Sequence, residues 1–475
     1  MCKKSINFKV LKLNLIPSVL MSKISNKISH LQEKNLFSDL PGFLEVKKDV
    51  QLSFTAPDLS SDGGFLLLSK AERRTGIIES LSKCISDWRN PELIVHSIGD
   101  MVSQRVFQIA SGYEDADDCD ALRHDSLLKM SCGRLPSDDD LCSQPTMSRL
   151  ENHVDKEELW SMAKVFVNQF IDSYDYIPAK IILDFDDTNA NTYGAQQLTL
   201  FNEYYGEYCY MPLLVFEGYS GRMVLPILRP GRRVKELDVA GLMIRIIKEL
   251  RKSWPNTSIT VRGDAMFCSH TFFEWADSQR NIHYCIGITG NKVLNNNFAV
   301  VNLLAKAENQ FRLTGEPQKM YSRFYYKAGS WKEHRWIFVK VEYSRMGQNI
   351  RFIVVDRGKL DPKETYEKVY CKRGDCELYI KELKNDLVCD RMSCGSFRAN
   401  QFRLFLHAAA YVLMWHIRHV MLKGTDAEDW TVSTFRLRIM KSAVRITEMK
   451  TRIKLEFTRD HPHRRLLEKA FRQSA

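Results

Sequence analysis

The chain contains no run of ~18 uninterrupted apolar residues, so no ordinary membrane-crossing helix is expected. It has no internal repeat and no low-complexity segment, which argues against a solenoid or a fibrous array. A convincing export signal is also missing. The N-terminal MCKKSINFKVLKLNLIPSVLM is faintly signal-like, but Lys9 and Lys12 interrupt its apolar stretch and no small-x-small cleavage site follows. That segment reads as a basic tail, with Met21 as an alternative start. Twelve cysteines are scattered along the chain, and without an export signal they imply a reducing compartment. Cys371, Cys376, Cys389 and Cys394 form C-x4-C-x12-C-x4-C, a loose zinc-like spacing; buried thiols explain the four more simply.

With 475 residues, two or three domains are expected, and 44% hydrophobic and 11% aromatic content suits globular cores. The net charge of +11 is unevenly placed. Residues 1–50 carry +5 and residues 431–475 carry +8, leaving −2 for the middle. Basic ends around a neutral body suit a polyanionic partner, although such tails also occur on proteins that bind no nucleic acid.

Residues 60–175 read as helical, with amphipathic runs from Leu66 to Ile85 and from Ile94 to Ile109. In QPTMSRLENH, Thr146 is a possible N-cap. Short helices with tight turns build helix-turn-helix modules and small bundles alike. The texture changes near residue 177. IPAKIILDFDD is a short apolar run ending in carboxylates, and strands are expected at Cys209–Gly218, Met223–Leu228 and Ser258–Arg262, with helices at Asp238–Lys252 and Thr271–Gln279. That order indicates α/β with a mixed sheet. Residues 284–357 read as mostly strand. Helix returns at about 363–388 and again at 397–421, and Val444–Phe457 reads as one further strand.

The chemistry gathers at a few positions. Tyr370, Arg373, Glu377 and Lys384 are spaced Y-x2-R-x3-E-x6-K, which places them within an arc of roughly 60° on a helix. A carboxylate that holds a metal, flanked by cations that grip phosphate, needs such a stripe. An i,i+4 pair between Arg373 and Glu377 is the simpler alternative. Asp184 and Asp186 lie at i,i+2 near the end of the Ile-rich strand and so share a face, while Asp187 points the other way. Asp264 follows another strand. Acids at strand ends plus one helix acid can converge on divalent ions, although Asp184–Asp187 could equally end a strand and cap a turn.

LSSDGGFLLL, DMVSQRVFQIASGYEDADD, QPTMSRLEN, LDFDDTNANTYGAQQ, LRPG, VRGDAMF and YCKRGDCELYIKELK together resemble the DDE transposases of bacterial insertion sequences. The branch is that typified by insertion sequence 1380 within the insertion sequence 4 superfamily, and the last segment matches its Y-R-E-K signature. The resemblance runs from about Leu59 to the C-terminus. It implies a ribonuclease H-like catalytic core, a mixed sheet with flanking helices, carrying a β-rich insertion and preceded by an all-helical N-terminal region. The expected division is a basic tail at 1–50, a helical DNA-binding region at 51–175, the first part of the core at 176–283, the insertion at 284–360, the second part of the core at 361–425 and a basic C-terminal segment at 426–475.

The resemblance further implies a metal triad of Asp186, Asp264 and Glu377, with Asp184 as the close competitor of Asp186. Mg²⁺ would occupy a two-metal site, with Mn²⁺ able to substitute. Tyr370, Arg373 and Lys384 would grip phosphate. The family usually has His before the glycine of its first motif, where this chain has Tyr193, so any role for that side chain is open. Arg229 in LRPG, with Arg232 and Arg233 nearby, is either a DNA-backbone contact or part of a solvated turn. Trp331 and Trp336 either stack on an unpaired base or fill a small β core. The expected activity is cut-and-paste transposition, with double-stranded DNA (terminal inverted repeats and target) as partner. A homodimer would form the synaptic complex in a bacterial cytoplasm, associated with the nucleoid, with no membrane and no small-molecule substrate. An inactive DNA-binding relic and a structure-selective nuclease of the same fold are the alternatives.

Overall fold

The computed structural model describes residues 54–231 and 239–472. The chain divides into two units, Met1–Leu59 and Ser60–Ala475, and of the first only Phe54–Leu59 is described. The basic tail at 1–50, and Arg232 and Arg233, lie outside the described residues.

The second unit is built on one large mixed sheet. Its strands are interleaved in sequence with a smaller sheet: β1 Lys180–Asp187, β2 Ala190–Asn191, β3 Leu200–Asn202, β4 Glu207–Tyr210, β5 Leu213–Glu217, β6 Met223–Ile227, β7 Ser258–Gly263, β8 Ile282–Ile288, β9 Gln318–Tyr326, β10 Arg335–Ser344 and β11 Gly347–Val355. The large sheet has eight strands in the order β9-β10-β11-β8-β7-β1-β5-β6. β1 runs antiparallel to β5 and parallel to β7, and β7 runs parallel to β8. β1 is central and its residues from Ile181 to Asp186 are all buried, as a strand covered on both faces must be. The small sheet, β2-β4-β3, is inserted between β1 and β5. The expected single strand from Cys209 is broken at Met211-Pro212, because proline cannot donate to a ladder.

Between residues 65 and 172 the chain forms helices and turns, including α1 Phe65–Thr75, α2 Ile77–Ser82, α3 Ile98–Ser111, α4 Asp118–Leu122, α5 Ser126–Ser131, α6 Gln144–His153 and α7 Lys156–Asp172. Ser143 holds the N-cap position of helix α6, without a side-chain capping bond, and Thr146 lies in the first turn behind Pro145. α3 starts with a reciprocal capping box between Ser97 and Asp100. These helices do not stand apart from the core. α3 and α6 pack on the helix Phe397–His416, and α7 packs on both that helix and β6. Arg105 of α3 and Glu151 of α6 form a buried ion pair at 2.8 Å, joined by Arg403 of the long helix at 3.5 Å. The helical region is therefore part of the same compact unit. The Phe397–His416 helix is buried on nearly every side, as its apolar residues all round require.

The segment 284–360 departs from expectation in two ways. Residues Phe298–Thr314 form a seventeen-residue helix, closed by Gly315 at φ 72°. β9, β10 and β11 continue the central sheet through β11–β8 pairing instead of forming a sheet of their own. Val444–Phe457 is a hairpin of two strands, Val444–Glu448 and Ile453–Phe457. Among the described residues no helix is long and apolar enough to cross a membrane.

His416 and His419 lie where the long helix ends, beside a cavity of about 480 Å³ that Arg74 and Arg222 also line. Burial lowers both to about 4, helped by Arg74 and Arg222 at His416 and by Arg418 at His419. Depressed folded values mean that the unfolded chain binds more protons below pH 6.5. The stability they contribute is thus present above 6.5 and is lost as pH falls toward 4, roughly 2–3 kcal/mol for each. The variant H416Q/H419Q should lose less stability than the wild type between pH 7.5 and 4.5 in urea titrations. Equal losses would reject the assignment.

Candidate functional site

β1 and β7 are parallel neighbours with Phe185 opposite Gly263, so their ends bring Asp186 and Asp264 to one edge of the sheet. Asp264 accepts the Met266 N–H at 2.8 Å and so caps the short turn that follows its strand. Facing this edge is the segment that carries Tyr370, Arg373, Glu377 and Lys384. It is helical throughout but not evenly wound: a π turn at Thr365–Tyr370, a tight turn at Cys371–Arg373, an α stretch at Gly374–Lys381 and a second π turn at Glu382–Asp386. Cys376 and Leu383 anchor it in the core.

Arg373 joins strand acid to helix acid. It donates through Nη1 to Asp186 at 2.7 Å and through Nη2 to Glu377 at 3.2 Å. Burial works against its charge, but Asp186, Tyr370, Glu377 and Asp264 outweigh that and raise its pKa. Asp186 is pushed up to about 6, first by burial and then by the nearby charges of Asp264 and Asp187, with Arg373 pulling the other way. Tyr370 lies over β8: a Cβ on Gly287 would meet its hydroxyl at 2.7 Å, so a side chain there would displace the phenol. Glu377 is 64% exposed at its side chain. Three carboxylates, a phenol and a guanidinium thus share one patch.

Asp184 is not part of it. It shares a face with Asp186 but is fully buried, and both its oxygens accept from Arg262 of β7, at 2.6 and 2.5 Å. Its carboxylate is a structural ion-pair partner, which corrects its standing as a candidate catalytic acid. Arg262 carries the pair further, donating to the Val369 carbonyl at 2.7 Å at the start of the signature segment. Sequence reasoning passed over Arg262, although a charged residue inside an apolar strand, two positions before Asp264, was the signal.

Other candidates are also engaged. Arg229 pairs with Asp187 and donates to the Met211 carbonyl, which fixes a loop rather than offering a free cation to DNA. Lys384 donates to the Asn189 carbonyl at 2.9 Å and to its Oδ1 at 3.1 Å, tying the signature segment to the chain just past β1. Trp331 is 6% exposed and packs against Phe273 and Tyr326, so it fills core and cannot stack on a base. Trp336 is half-buried, lies against Tyr325 with ring centres 3.7 Å apart, and has Arg323 over its ring.

Asp186, Asp264 and Glu377 offer only oxygen donors, which suits hard divalent cations such as Mg²⁺ or Mn²⁺. The raised pKa of Asp186 marks a place where added positive charge would be welcome. Among the described residues no three such groups already stand within chelating reach. The Arg373 guanidinium lies between Asp186 and Glu377, and exposed Glu377 is the acid able to turn away from it. The cysteine set 371, 376, 389 and 394 forms no metal cluster among the described residues, and Cys376 and Cys389 are buried with their thiols pushed up by burial.

No curated protein matches the sequence. Among solved structures, the chain is similar to a piggyBac transposase determined by cryo-EM in a synaptic complex with hairpin DNA, at 14% identity, TM-score 0.42 and 78% coverage of either chain. The family described as transposase DDE domain group 1 matches residues 44–474, a span that includes both strand-end acids and the whole signature segment. A match of that extent places the chain in this family: it is a transposase DDE domain protein.

Proposed function

We propose that this protein is a cut-and-paste DNA transposase of the insertion sequence 1380 type, with a ribonuclease H-like core. It would bind terminal inverted repeats, cleave there and join the freed ends to target DNA. The observation that carries this reading is the gathering of Asp186, Asp264 and Glu377 around Arg373 at one sheet edge. The run β6-β5-β1-β7-β8 of the large sheet, antiparallel from β6 to β1 and parallel from β1 to β8, supports the core assignment.

Asp186, Asp264 and Glu377 would hold the divalent ions, Mg²⁺ or Mn²⁺. When bound, such a pair activates the attacking oxygen and stabilises the leaving one. The protein's own groups do the rest. Arg373, sixteen per cent exposed, exchanges its two carboxylates for a backbone phosphate, which its planar fork can grip through two bonds. Tyr370, held over Gly287, orders that phosphate beside Asp264. Lys384 contributes charge from its tie to Asn189. Pairing two element ends calls for two copies, so the active form is a homodimer. The test is cleavage of plasmid carrying cognate ends against scrambled ends, with Mg²⁺ or Mn²⁺. Cleavage that ignores the ends would indicate a nuclease, and end binding without cleavage would indicate a relic.

Arg373→Ala should weaken binding of precleaved ends more than Lys384→Ala, because Lys384 is held by Asn189 and acts as a point charge. Each loss should flatten the salt dependence of binding by about one phosphate contact. If the slope stays put in both variants, these cations serve the fold alone.

A further inference from the structure

A cavity of about 550 Å³ opens on the large sheet, and none of the residues assigned to cleavage lines it. Its floor is set by strand register. β1 and β7 run parallel with Lys180 beside Ser258, Ile182 beside Thr260 and Asp184 beside Arg262, so these pairs share one face. Arg262 closes the cavity at the end nearer Asp186, and Asp184 neutralises it. The signature segment forms a wall. Its Tyr370 and Arg373 serve the catalytic edge, while Lys368 and Lys372 line the cavity.

The lining changes character with depth. Ile182, Cys285 and Val355 are buried, and half-buried Ser258 and Thr260 add hydroxyls beside them. Lys180, Arg357, Lys368 and Lys372 are exposed at the mouth, and no carboxylate of the lining is exposed with them. The two acids of the lining are half-buried and engaged. Asp356 pairs with His283 at 2.6 Å and accepts the Tyr284 N–H at 3.2 Å, and Asp375 lies 3.8 Å from Lys372. Lys180 rests over the Tyr219 ring, 5.7 Å from its centre. Lys368 meets Glu364 in an exposed i,i+4 pair at 2.7 Å, a contact weak enough to be exchanged for a phosphate. A cavity of this volume encloses a small molecule and not a duplex. Its mouth calls for negative charge, and its depth for an apolar body with polar edges. Phosphate alone would leave the depth unfilled, and an alkyl chain would leave the hydroxyls without partners.

We propose that this cavity binds a nucleoside diphosphate, its phosphates among Lys180, Lys368 and Lys372 and its base inward against Ile182 and Val355. Base edges carry donors and acceptors that the Ser258 and Thr260 hydroxyls can meet. Bound there, the ligand bridges β1 and the signature segment. The cavity is separate from the catalytic edge, so the proposal does not rest on the transposase reading.

The test is calorimetric titration of the full-length protein with ADP, in EDTA so that no divalent ion carries the phosphates to the catalytic acids. ADP should bind about tenfold more tightly than inorganic pyrophosphate. The variant K368A/K372A changes only exposed side chains and should weaken ADP binding by about tenfold or more. Thr260→Val should weaken ADP and leave pyrophosphate unchanged. The variant K248A/K252A removes the same charge from the helix Val239–Ser253, outside the cavity, and should bind ADP as the wild type does. Equal losses in the two double variants would mean general attraction of an anion to a basic protein, and would overturn the site. Pyrophosphate binding as tightly as ADP overturns the nucleotide assignment, as does no heat of ADP binding at millimolar concentration. A short 5′-phosphorylated single strand that depends on Lys368 and Lys372, where ADP does not bind, assigns the cavity to DNA and overturns it too.

Discussion

Replacing Asp186 with Asn is expected to lower metal-dependent cleavage by about a thousandfold or more while making the protein more stable at neutral pH. The first effect follows from the chemistry: positioning charge at the reacting phosphate is most of what such a site contributes. The second follows from burial. The carboxyl is held up to about 6 against an ordinary 3.8, so its ionised form is disfavoured in the fold. An acid with a raised folded value imposes no cost below its ordinary pKa and the full cost above the raised one. That is roughly 2–3 kcal/mol, reached as pH climbs from about 4 to about 6. The stability gain of Asp186→Asn in urea titrations should therefore appear at pH 7.5 and vanish near pH 4. Glu377→Gln is the control, since its exposed side chain predicts lost cleavage with little change in stability. Normal cleavage by either variant would remove that residue from the site.

Arg262→Ala should cost about 3–5 kcal/mol of stability, because it leaves the Asp184 carboxylate buried and unpaired beneath the sheet edge. It also removes the bond to the Val369 carbonyl that steadies the signature segment. The double variant D184L/R262M replaces the pair by apolar groups of similar bulk and should recover much of the loss. Asp184→Asn should then reduce activity through unfolding and recover on cooling, whereas Asp186→Asn should stay inactive at every temperature. Denaturation midpoints of Arg262→Ala, D184L/R262M and Asp184→Asn, with cleavage by the two aspartate variants across temperature, decide this. If Arg262→Ala falls within about 1 kcal/mol of the wild type, the pair contributes little.

The sequence showed the acids' shared face but not their depth. Asp184 and Asp186 alternate identically along β1, and only the partner strand, 78 residues on, separates a buried ion pair from an open ligand. The strand ends at Asp186 and Asp264 and the long buried helix were legible because apolar runs with clear stops have few other uses. The helix at Phe298–Thr314 was obscured by the strand-like texture of its flanks. Trp331 stayed open between base stacking and a small β core because exposure is a tertiary property: Phe273, which packs against it, comes from the helix His270–Asp277. The uneven winding of the signature segment left no mark on its spacing, since Y-x2-R-x3-E-x6-K is the same whether the turns are α or π.

The way β11 joins β8 has a mechanical consequence. A domain hung on linkers can swing without disturbing its host. Here the outer strands β9 and β10 are linked, ladder by ladder, to the strand that neighbours β7 and hence Asp264. A displacement at the far edge would pass to β7 through continuous backbone ladders. Grip and cutting edge would then move as parts of one plate.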